Sequence, residues 1–357
     1  MTPVSRRITP RTRAVVLSVV LLALVGAAGF FLSAFFAPNP FEGEQVFYVS
    51  KGQNFPAIVD SLESRGLIRS RELFVFVARV VGGMNRLQVG KYTFAGGTSN
   101  YDLYTSIRTG RDNDLIQVTV PEGLRAKSQA RLFARALGID TARFMSLVND
   151  RAFIADLGIG ENSLEGYLLP DTYAFSWQQD EAEVIERMVA QFKEFYGDSL
   201  VDRQQAMGWS ARQVLTLASI VEAESRLDAE RPIIAGVYLN RLRKGMKLEA
   251  DPTIQYVLEG GPRRLYYTDL KINSPYNTYR NAGLPPGPIN NAGRASIRAV
   301  LFPARHNYIF FVADGQGGHR FARNYTEHQA NVRMYRKARR AAAAKSGPST
   351  GLATTPS

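Results

Sequence analysis

The sequence predicts an α+β protein that is held at a membrane by a single N-terminal helix. Three observations support this prediction. An uncharged run lies near the N-terminus at residues 14–36, short apolar runs and helical patterns follow it, and irregular Gly-, Pro- and Asn-rich segments interrupt the second half. We expect a small strand–helix–helix–strand subdomain at 37–115, a larger mixed α+β catalytic domain at 116–340, and a disordered tail at 341–357.

The N-terminal segment has the features of a membrane anchor. Residues 1–13 contain four arginines and no acidic residue, which predicts that this end stays in the cytoplasm. The 23 uncharged residues that follow are long enough to cross a hydrocarbon core of about 30 Å. A cleaved signal peptide is the alternative, but its apolar region is only about 7–15 residues and ends at a small-residue cleavage site, which is missing here. We therefore expect a single-pass protein of the inner (cytoplasmic) membrane, with all later residues outside the cytoplasm.

The composition limits the chemistry. The chain of 357 residues has a net charge of +12, which favours anionic surroundings such as lipid headgroups or an acidic wall polymer. The extracytoplasmic location argues against nucleic acid as a partner. There is no cysteine, so disulfides and thiolate metal sites are excluded. The three histidines (His306, His319 and His328) lack ligand spacing. We expect neither a metal nor a cofactor, so the chemistry relies on carboxylates, hydroxyls, amides and basic side chains.

The first predicted subdomain begins with a strand at 46–50. Helices at 56–64 and 71–81 and a strand at 87–94 follow. This order, headed by the sequence Y-V-S-K-G at residues 48–52, resembles a LysM-type module, and that resemblance implies binding to N-acetylated glycan chains. A purely structural spacer is the alternative interpretation.

The organising element of the larger domain is a predicted amphipathic helix at 210–226. Ser210 and Gln213 have the spacing of a capping box, and the apolar residues that follow form an arc at helical spacing. On a helical wheel Glu222 falls inside this arc, whereas Glu224 lies about 160° away. Burial raises the pKa of a carboxyl group, so Glu222 is a candidate proton donor. A surface ion pair between Glu222 and Arg226 is the alternative.

The remaining elements place further candidate residues. Helices are predicted at 181–195 and 232–243. Asp251 followed by Pro252 predicts an N-cap and a short helix that ends at Gly260-Gly261. A hairpin at 308–321 and a helix at 326–340 complete the domain. The irregular segment 273–291 is unusually long, and long ordered loops are often functional.

Seven motifs in one order resemble the endolytic peptidoglycan (murein) transglycosylase family. They are L-E-G-Y-L-L-P-D-T-Y at 164–173, A-S-I-V-E-A-E at 218–224, V-Y-L-N-R-L-R-K-G-M-K-L at 237–248, D-P-T at 251–253, Y-N-T-Y at 276–279, G-L-P-P-G-P at 283–288 and F-V-A-D-G-Q-G-G-H at 311–319.

The resemblance implies that Glu222 is the catalytic residue, and we expect five other residues to bind the substrate. These predicted substrate-binding residues are Glu165, Glu224, Tyr276, Asn277 and Tyr279. Flat rings and amides suit sugar rings and N-acetyl groups, and we expect Glu224 to fix the neighbouring loop through hydrogen bonds.

The implied reaction cuts the β-1,4 bond between N-acetylmuramic acid and N-acetylglucosamine in nascent strands and leaves 1,6-anhydro-muramic ends. A single carboxyl group acts first as acid and then as base. Two alternatives stay open: a muramidase-type hydrolase that uses Glu222 with Glu165 or Asp171, and a non-catalytic peptidoglycan-binding scaffold. The expected partners are glycan strands, the membrane, and wall-building glycosyltransferases or penicillin-binding proteins.

Overall fold

The computed structural model describes residues 10–258 and 263–345. The chain divides into two compact units, one formed by Met1–Gln117 with Ala174–Gln179 and the other by Val118–Tyr173 with Asp180–Ser357. Most of the predicted cytoplasmic segment 1–13, the predicted helix end at Gly260-Gly261 and most of the predicted tail lie outside the described residues.

The first unit begins with helix α1, Pro10–Phe36. Among the described residues it is the one helix that is long and apolar enough to cross a membrane, by length and composition. Its C-terminal end is attached to the rest of the unit: Ala34 and Phe35 are buried, and the Asn100 side-chain amide donates a hydrogen bond to the Ala34 carbonyl oxygen at 3.0 Å.

The rest of the first unit is a two-stranded antiparallel sheet covered by helices. Its elements are β1 (Gln45–Val49), α2 (Phe55–Ser64), α3 (Arg71–Val81), β2 (Gly90–Phe94) and α4 (Asn100–Thr109). The pairing of β1 with β2 runs from Gln45 opposite Phe94 to Val49 opposite Gly90. The strand–helix–helix–strand order agrees with the expected one, whereas α4 was not predicted. The order alone does not test the resemblance to a LysM-type module, which stays a prediction.

The chain passes between the two units within β3 (Ile116–Thr119) and β4 (Thr172–Phe175), which form a second two-stranded sheet. The helices of the second unit are α5 (Ala126–Leu137), α6 (Thr141–Val148), α7 (Arg151–Asp156), α8 (Glu181–Phe195), α9 (Asp198–Ala206), α10 (Ala211–Glu224), α11 (Arg231–Arg243), α12 (Asp251–Val257), a 3₁₀ turn (Asp269–Lys271), α13 (Arg294–Leu301) and α14 (Tyr325–Lys345). An antiparallel hairpin of β5 (Phe310–Ala313) and β6 (His319–Ala322) precedes α14. The prediction of a mixed α+β architecture is confirmed.

Helix α10 is the buried centre of the second unit, because every residue from 214 to 221 is buried. It begins as predicted, with a capping box in which Ser210 and Gln213 bond reciprocally through side chain and backbone. It ends two residues earlier than predicted, at Glu224, because Ser225 adopts an extended conformation. Glu224 is therefore the last residue of the helix.

Two helix boundaries differ from the sequence-based expectation. The N-cap of α12 is Ala250, and Asp251 is the first helical residue, so the prediction of Asp251 as N-cap is wrong. The Ala250 N–H donates a hydrogen bond to the side-chain hydroxyl of Thr278. Helix α14 continues to Lys345, five residues into the segment predicted to be disordered, since four consecutive alanines at 341–344 favour helix.

Candidate active site

A cavity of about 370 Å³ lies at the C-terminal end of α10. Its lining residues are Gly123, Arg125, Ala223, Glu224, Asp251, Pro252, Gln255, Ile289 and Asn290. A smaller cavity of about 200 Å³ is lined by Glu224, Tyr238, Arg241, Leu248, Glu249, Asp251, Tyr279 and Phe311. Glu224 and Asp251 line both cavities, so two carboxyl groups of different helices meet at this place.

Glu224 has the environment of a proton donor. Its Oε1 accepts a hydrogen bond of 2.7 Å from the Tyr238 hydroxyl. Burial raises the pKa of Glu224 to about 7, and the negative charge of Asp251 acts in the same direction. The Tyr238 hydrogen bond, His319 and Arg241 oppose the rise. A carboxyl group whose pKa is raised toward neutrality is suited to donate a proton.

Asp251 has a contrasting environment, although it lines the same two cavities. The residue is exposed, and its Oδ1 accepts a hydrogen bond of 2.5 Å from the Tyr279 hydroxyl. A buried carboxyl group and an exposed one thus lie beside each other, and each is held by a tyrosine hydroxyl. Such a contrast in environment is a common basis for dividing acid and base roles between two carboxyl groups.

Glu222 lies on the buried side of α10, as its wheel position predicted, and only 6% of its side chain is exposed. Both carboxylate oxygens are engaged: Oε1 accepts from Arg231 at 3.1 Å and Oε2 from the Gly293 backbone N–H at 2.9 Å. Burial raises the pKa of Glu222, while Gly293 and Arg231 oppose the rise. Glu222 lines neither of the two cavities, and its salt-bridge partner is Arg231 rather than Arg226.

The segment 289–293 is fixed along α10 by hydrogen bonds. The Ile289 N–H donates to Ser219 Oγ at 3.0 Å, and the Asn290 amide donates to the Ser219 carbonyl oxygen at 2.9 Å. A Cβ at Gly293 would meet the Glu122 carboxyl group, so a larger residue there would have to displace that side chain. These bonds fix the cavity wall formed by Ile289 and Asn290 against the helix that carries both glutamates.

Glu165 and Asp171, the other predicted carboxylates, lie among the lining residues of neither cavity. Glu165 accepts the Ala126 N–H at the start of α5 at 3.0 Å, and burial raises its pKa to about 7. Asp171 forms an ion pair of 2.7 Å with Arg294, whose hydrogen bond helps to hold the pKa of Asp171 low although partial burial acts to raise it. Glu165 therefore accepts a backbone N–H at the start of α5, and Asp171 forms an ion pair with Arg294.

The residues of the Y-N-T-Y motif have three different surroundings. The ring of Tyr276 lies 4.7 Å from the ring of Tyr256, which is also stacked against Arg125 of the larger cavity. Asn277 is fully buried; its amide donates to two backbone carbonyls, of Leu270 and Ile272, and its Oδ1 accepts the Tyr279 N–H. Tyr279 lines the smaller cavity. Geometry thus assigns Asn277 to holding the loop, and leaves the two tyrosines accessible to a ligand.

Sequence reasoning missed several cavity residues, namely Arg125, Asp251, Gln255 and Asn290. The signal for Asp251 was present in the D-P-T motif, but the residue was interpreted as a helix cap. Arg125 and Gln255 carry no local pattern that distinguishes them from other polar surface residues. Among the described residues, no group of three or more His, Asp or Glu side chains is placed to hold a metal ion.

The fold and the site together define a mixed α+β protein with a carboxyl-lined cavity at the end of a buried helix. The chain belongs to the YceG-like family, whose model matches residues 47–334. The family predicted from the seven motifs is therefore confirmed.

Relatives with established names agree with this assignment. An endolytic murein transglycosylase of Bacillus subtilis is 30% identical, over 80% of this chain and 83% of its own. One of Streptococcus pneumoniae is 27% identical, over 88% of this chain and 63% of its own length. The crystal structure of a YceG-like protein from Listeria monocytogenes superposes with a TM-score of 0.59 at 27% identity and covers 80% of this chain and 98% of that one. The prediction of an enzyme of the lytic transglycosylase class is confirmed through these relatives.

Proposed function

We propose that this protein is a membrane-anchored endolytic transglycosylase that cleaves the β-1,4 bond between N-acetylmuramic acid and N-acetylglucosamine in peptidoglycan. The observation that supports it best is the Glu224 carboxyl group, which lines a cavity of about 370 Å³ and has a pKa of about 7. A carboxyl group poised near neutral pH can donate a proton and then accept one.

In the proposed reaction, protonated Glu224 donates its proton to the glycosidic oxygen and the bond from this oxygen to C1 of the muramic sugar breaks. The carboxylate then takes the proton of that sugar's 6-hydroxyl group, and O6 forms a bond to C1. The products are a free hydroxyl end and a 1,6-anhydro end, with no water consumed. One acid is therefore sufficient for both steps.

The structure favours Glu224 over Glu222 for the role that the sequence predicted for Glu222. Both oxygens of Glu222 already accept hydrogen bonds, from Arg231 and Gly293. Glu224 accepts one at Oε1, from Tyr238, and among the described residues its Oε2 has no hydrogen-bond donor. A proton donor also has to face the substrate, and Glu224 lines both cavities. In this proposal Glu222 positions the end of α10 through Arg231, and Glu222 as the acid is the alternative assignment.

The test is digestion of purified glycan strands by Glu224→Gln and Glu222→Gln, followed by analysis of the chain ends. We expect Glu224→Gln to lower kcat at least about 10³-fold, because the proton donor is lost. The smaller loss expected for Glu222→Gln comes from weakening the Arg231 ion pair. Near-normal cleavage by Glu224→Gln would reject Glu224 as the acid. Loss of cleavage in Glu222→Gln alone would support Glu222 as the acid, as the sequence predicted.

End-group analysis also separates transglycosylase from hydrolase. A second carboxylate in the cavity, Asp251, is the observation that favours hydrolysis, because glycosidases that use water pair two carboxyl groups. Glu165 and Asp171, which were the predicted partners, line neither of the two cavities. Anhydro ends support the transglycosylase, reducing ends the hydrolase, and the absence of cleavage a glycan-binding scaffold.

The location and partners belong to the same proposal. Helix α1 would hold the enzyme in the cytoplasmic membrane with its N-terminus inside, so that the cavity meets the newest glycan strands outside. The LysM-like segment would add glycan contacts, and Glu165, Tyr276, Asn277 and Tyr279 remain the predicted substrate-binding set, of which Tyr276 and Tyr279 are accessible. Wall-building glycosyltransferases or penicillin-binding proteins are the proposed protein partners.

A further inference from the structure

Asp251 is a carboxylate with no ion-pair partner among the described residues. It is the first residue of α12, but the N-cap position belongs to Ala250 and makes no side-chain cap hydrogen bond. Its recorded side-chain hydrogen bond is the one from the Tyr279 hydroxyl at 2.5 Å. An exposed carboxylate that neither caps its helix nor forms an ion pair among the described residues is available for another role.

The position of Asp251 indicates what that role is. It lines both cavities together with Glu224, and Tyr279 fixes its direction as Tyr238 fixes that of Glu224. The pair thus consists of one buried and one solvated carboxyl group. When a glycosidic bond breaks, the transition state resembles an oxocarbenium ion, and a fixed negative charge beside the sugar ring stabilises it.

We propose that Asp251 is a second functional carboxylate of this site, whose negative charge stabilises the positive charge that develops on the sugar ring as the bond breaks. The inference rests on the proposed function, since it assumes that a glycan occupies the cavity. It adds a residue that the acid–base scheme above does not require.

The same charge influences Glu224. Among the described residues, the groups around the Glu224 carboxyl group include Tyr238 and Arg241 of α11, His319 of β6, Asp251 of α12 and Tyr279 of the loop. Arg125 lines the larger cavity with Glu224, and Glu249, which pairs with Arg241, lines the smaller one. Burial raises the pKa of Glu224 most, and the charge of Asp251 raises it further, while Tyr238, His319 and Arg241 lower it. Removal of the Asp251 charge should therefore let Glu224 lose its proton at lower pH.

The test is the isosteric variant Asp251→Asn in the full-length protein, assayed on purified glycan strands from pH 5 to 9. We expect kcat to fall about 10- to 100-fold with little change in KM, because a charge that acts in the transition state is lost. The alkaline limb of kcat/KM should move to lower pH by about half a unit or more. Asp251→Glu should restore part of the activity and of the pH profile.

Asp198→Asn is the matched control. Asp198 is likewise the first residue of a helix, α9, whose N-cap makes no side-chain hydrogen bond, so the variant removes the same charge from an equivalent helix end. We expect its kcat and its pH profile to be those of the wild type. The thermal unfolding temperature of each variant is compared with that of the wild type, so that a local charge effect can be distinguished from loss of the fold.

The outcome separates this inference from the proposed function. If the wild type cleaves glycan but Asp251→Asn keeps its kcat and its alkaline limb, the inference is wrong and the function stands. If the wild type does not cleave, the titration of Glu224 followed by NMR still tests the charge effect. An unchanged Glu224 titration in Asp251→Asn would then reject the coupling between the two carboxyl groups.

Discussion

At the scale of single residues, the two glutamates of the A-S-I-V-E-A-E motif differ in what surrounds their carboxyl groups. Glu222 faces Arg231 and a backbone N–H, whereas Glu224 faces a tyrosine hydroxyl and a cavity. Glu224 also ends α10, where the negative end of the helix dipole disfavours the ionised carboxylate. Two acids separated by one residue therefore have different chemistry.

Tyr238→Phe should shift the pKa of Glu224 in the opposite direction to Asp251→Asn, and it therefore tests the same interpretation independently. The Tyr238 hydroxyl donates to Glu224 and stabilises its ionised form, so its loss should raise the pKa of Glu224. The acid then stays protonated to higher pH, and we expect the alkaline limb of kcat/KM to move upward by about half a unit or more. A pH–rate series on glycan strands measures the shift. A downward shift, or none, would contradict the role given to the hydroxyl group.

At the scale of elements, the long segment after the 3₁₀ turn combines a buried asparagine with two half-buried tyrosine rings. Asn277 is buried, and its side-chain amide donates hydrogen bonds to two backbone carbonyl oxygens a few residues earlier in the chain. Tyr276 packs against the ring of Tyr256 in a tilted arrangement, and Tyr279 lines the smaller cavity. The asparagine therefore determines where the tyrosines lie without being exposed to a ligand.

Asn277→Ala tests whether Asn277 stabilises the loop rather than contacting the sugar directly. It removes three partly buried hydrogen bonds and takes the Asn277 amide away from two backbone carbonyl oxygens, which we expect to cost about 3 kcal/mol of unfolding free energy. Asn281→Ala is the control, because its amide bonds to the same loop at Ser274 and Asn277 but its residue is exposed. We expect less than about 1 kcal/mol there. Denaturant unfolding provides both values, and equal stability of the two variants would contradict the scaffold role.

At the scale of the whole molecule, α1 has both a membrane-compatible run and an end that packs on the first unit. Ala34 and Phe35 are buried, and Phe35 lies 6.1 Å from the ring of Tyr101. The apolar residues before Phe30 have no comparable burial. The helix therefore has two parts: one suited to a membrane and one that completes a protein core.

Truncation at two positions tests this division. Deletion of residues 1–29 should give a protein that stays in the aqueous phase and unfolds at nearly the temperature of the detergent-solubilised full chain. Deletion of 1–36 also removes the Phe35 packing and the Asn100–Ala34 hydrogen bond, which we expect to cost about 2–3 kcal/mol. Phase partitioning and thermal unfolding measure the two effects. Equal stability of the two truncations would show that the end of α1 is not part of the core.

Much of the fold followed from local patterns. The capping box at Ser210, the helix at Arg71–Val81 and the hairpin β5–β6 were predicted because caps, apolar periodicity and turn residues act over a few neighbouring positions. The membrane-compatible helix follows from composition alone. Helix α4 was missed although Ser99 caps it and Gly110 ends it, since only a minority of its residues are apolar.

The sequence by itself determined the family, many of the helices and strands, and the pair of candidate glutamates in one helix. The tertiary structure decided which carboxyl group faces the cavity, and it brought Asp251 to Glu224 across 27 positions of the chain. The physical reason is that a helical wheel gives the direction of a side chain relative to its own helix only. Whether that direction meets Arg231, a tyrosine hydroxyl or an open cavity depends on segments far away in sequence, and these contacts set the protonation of the acid.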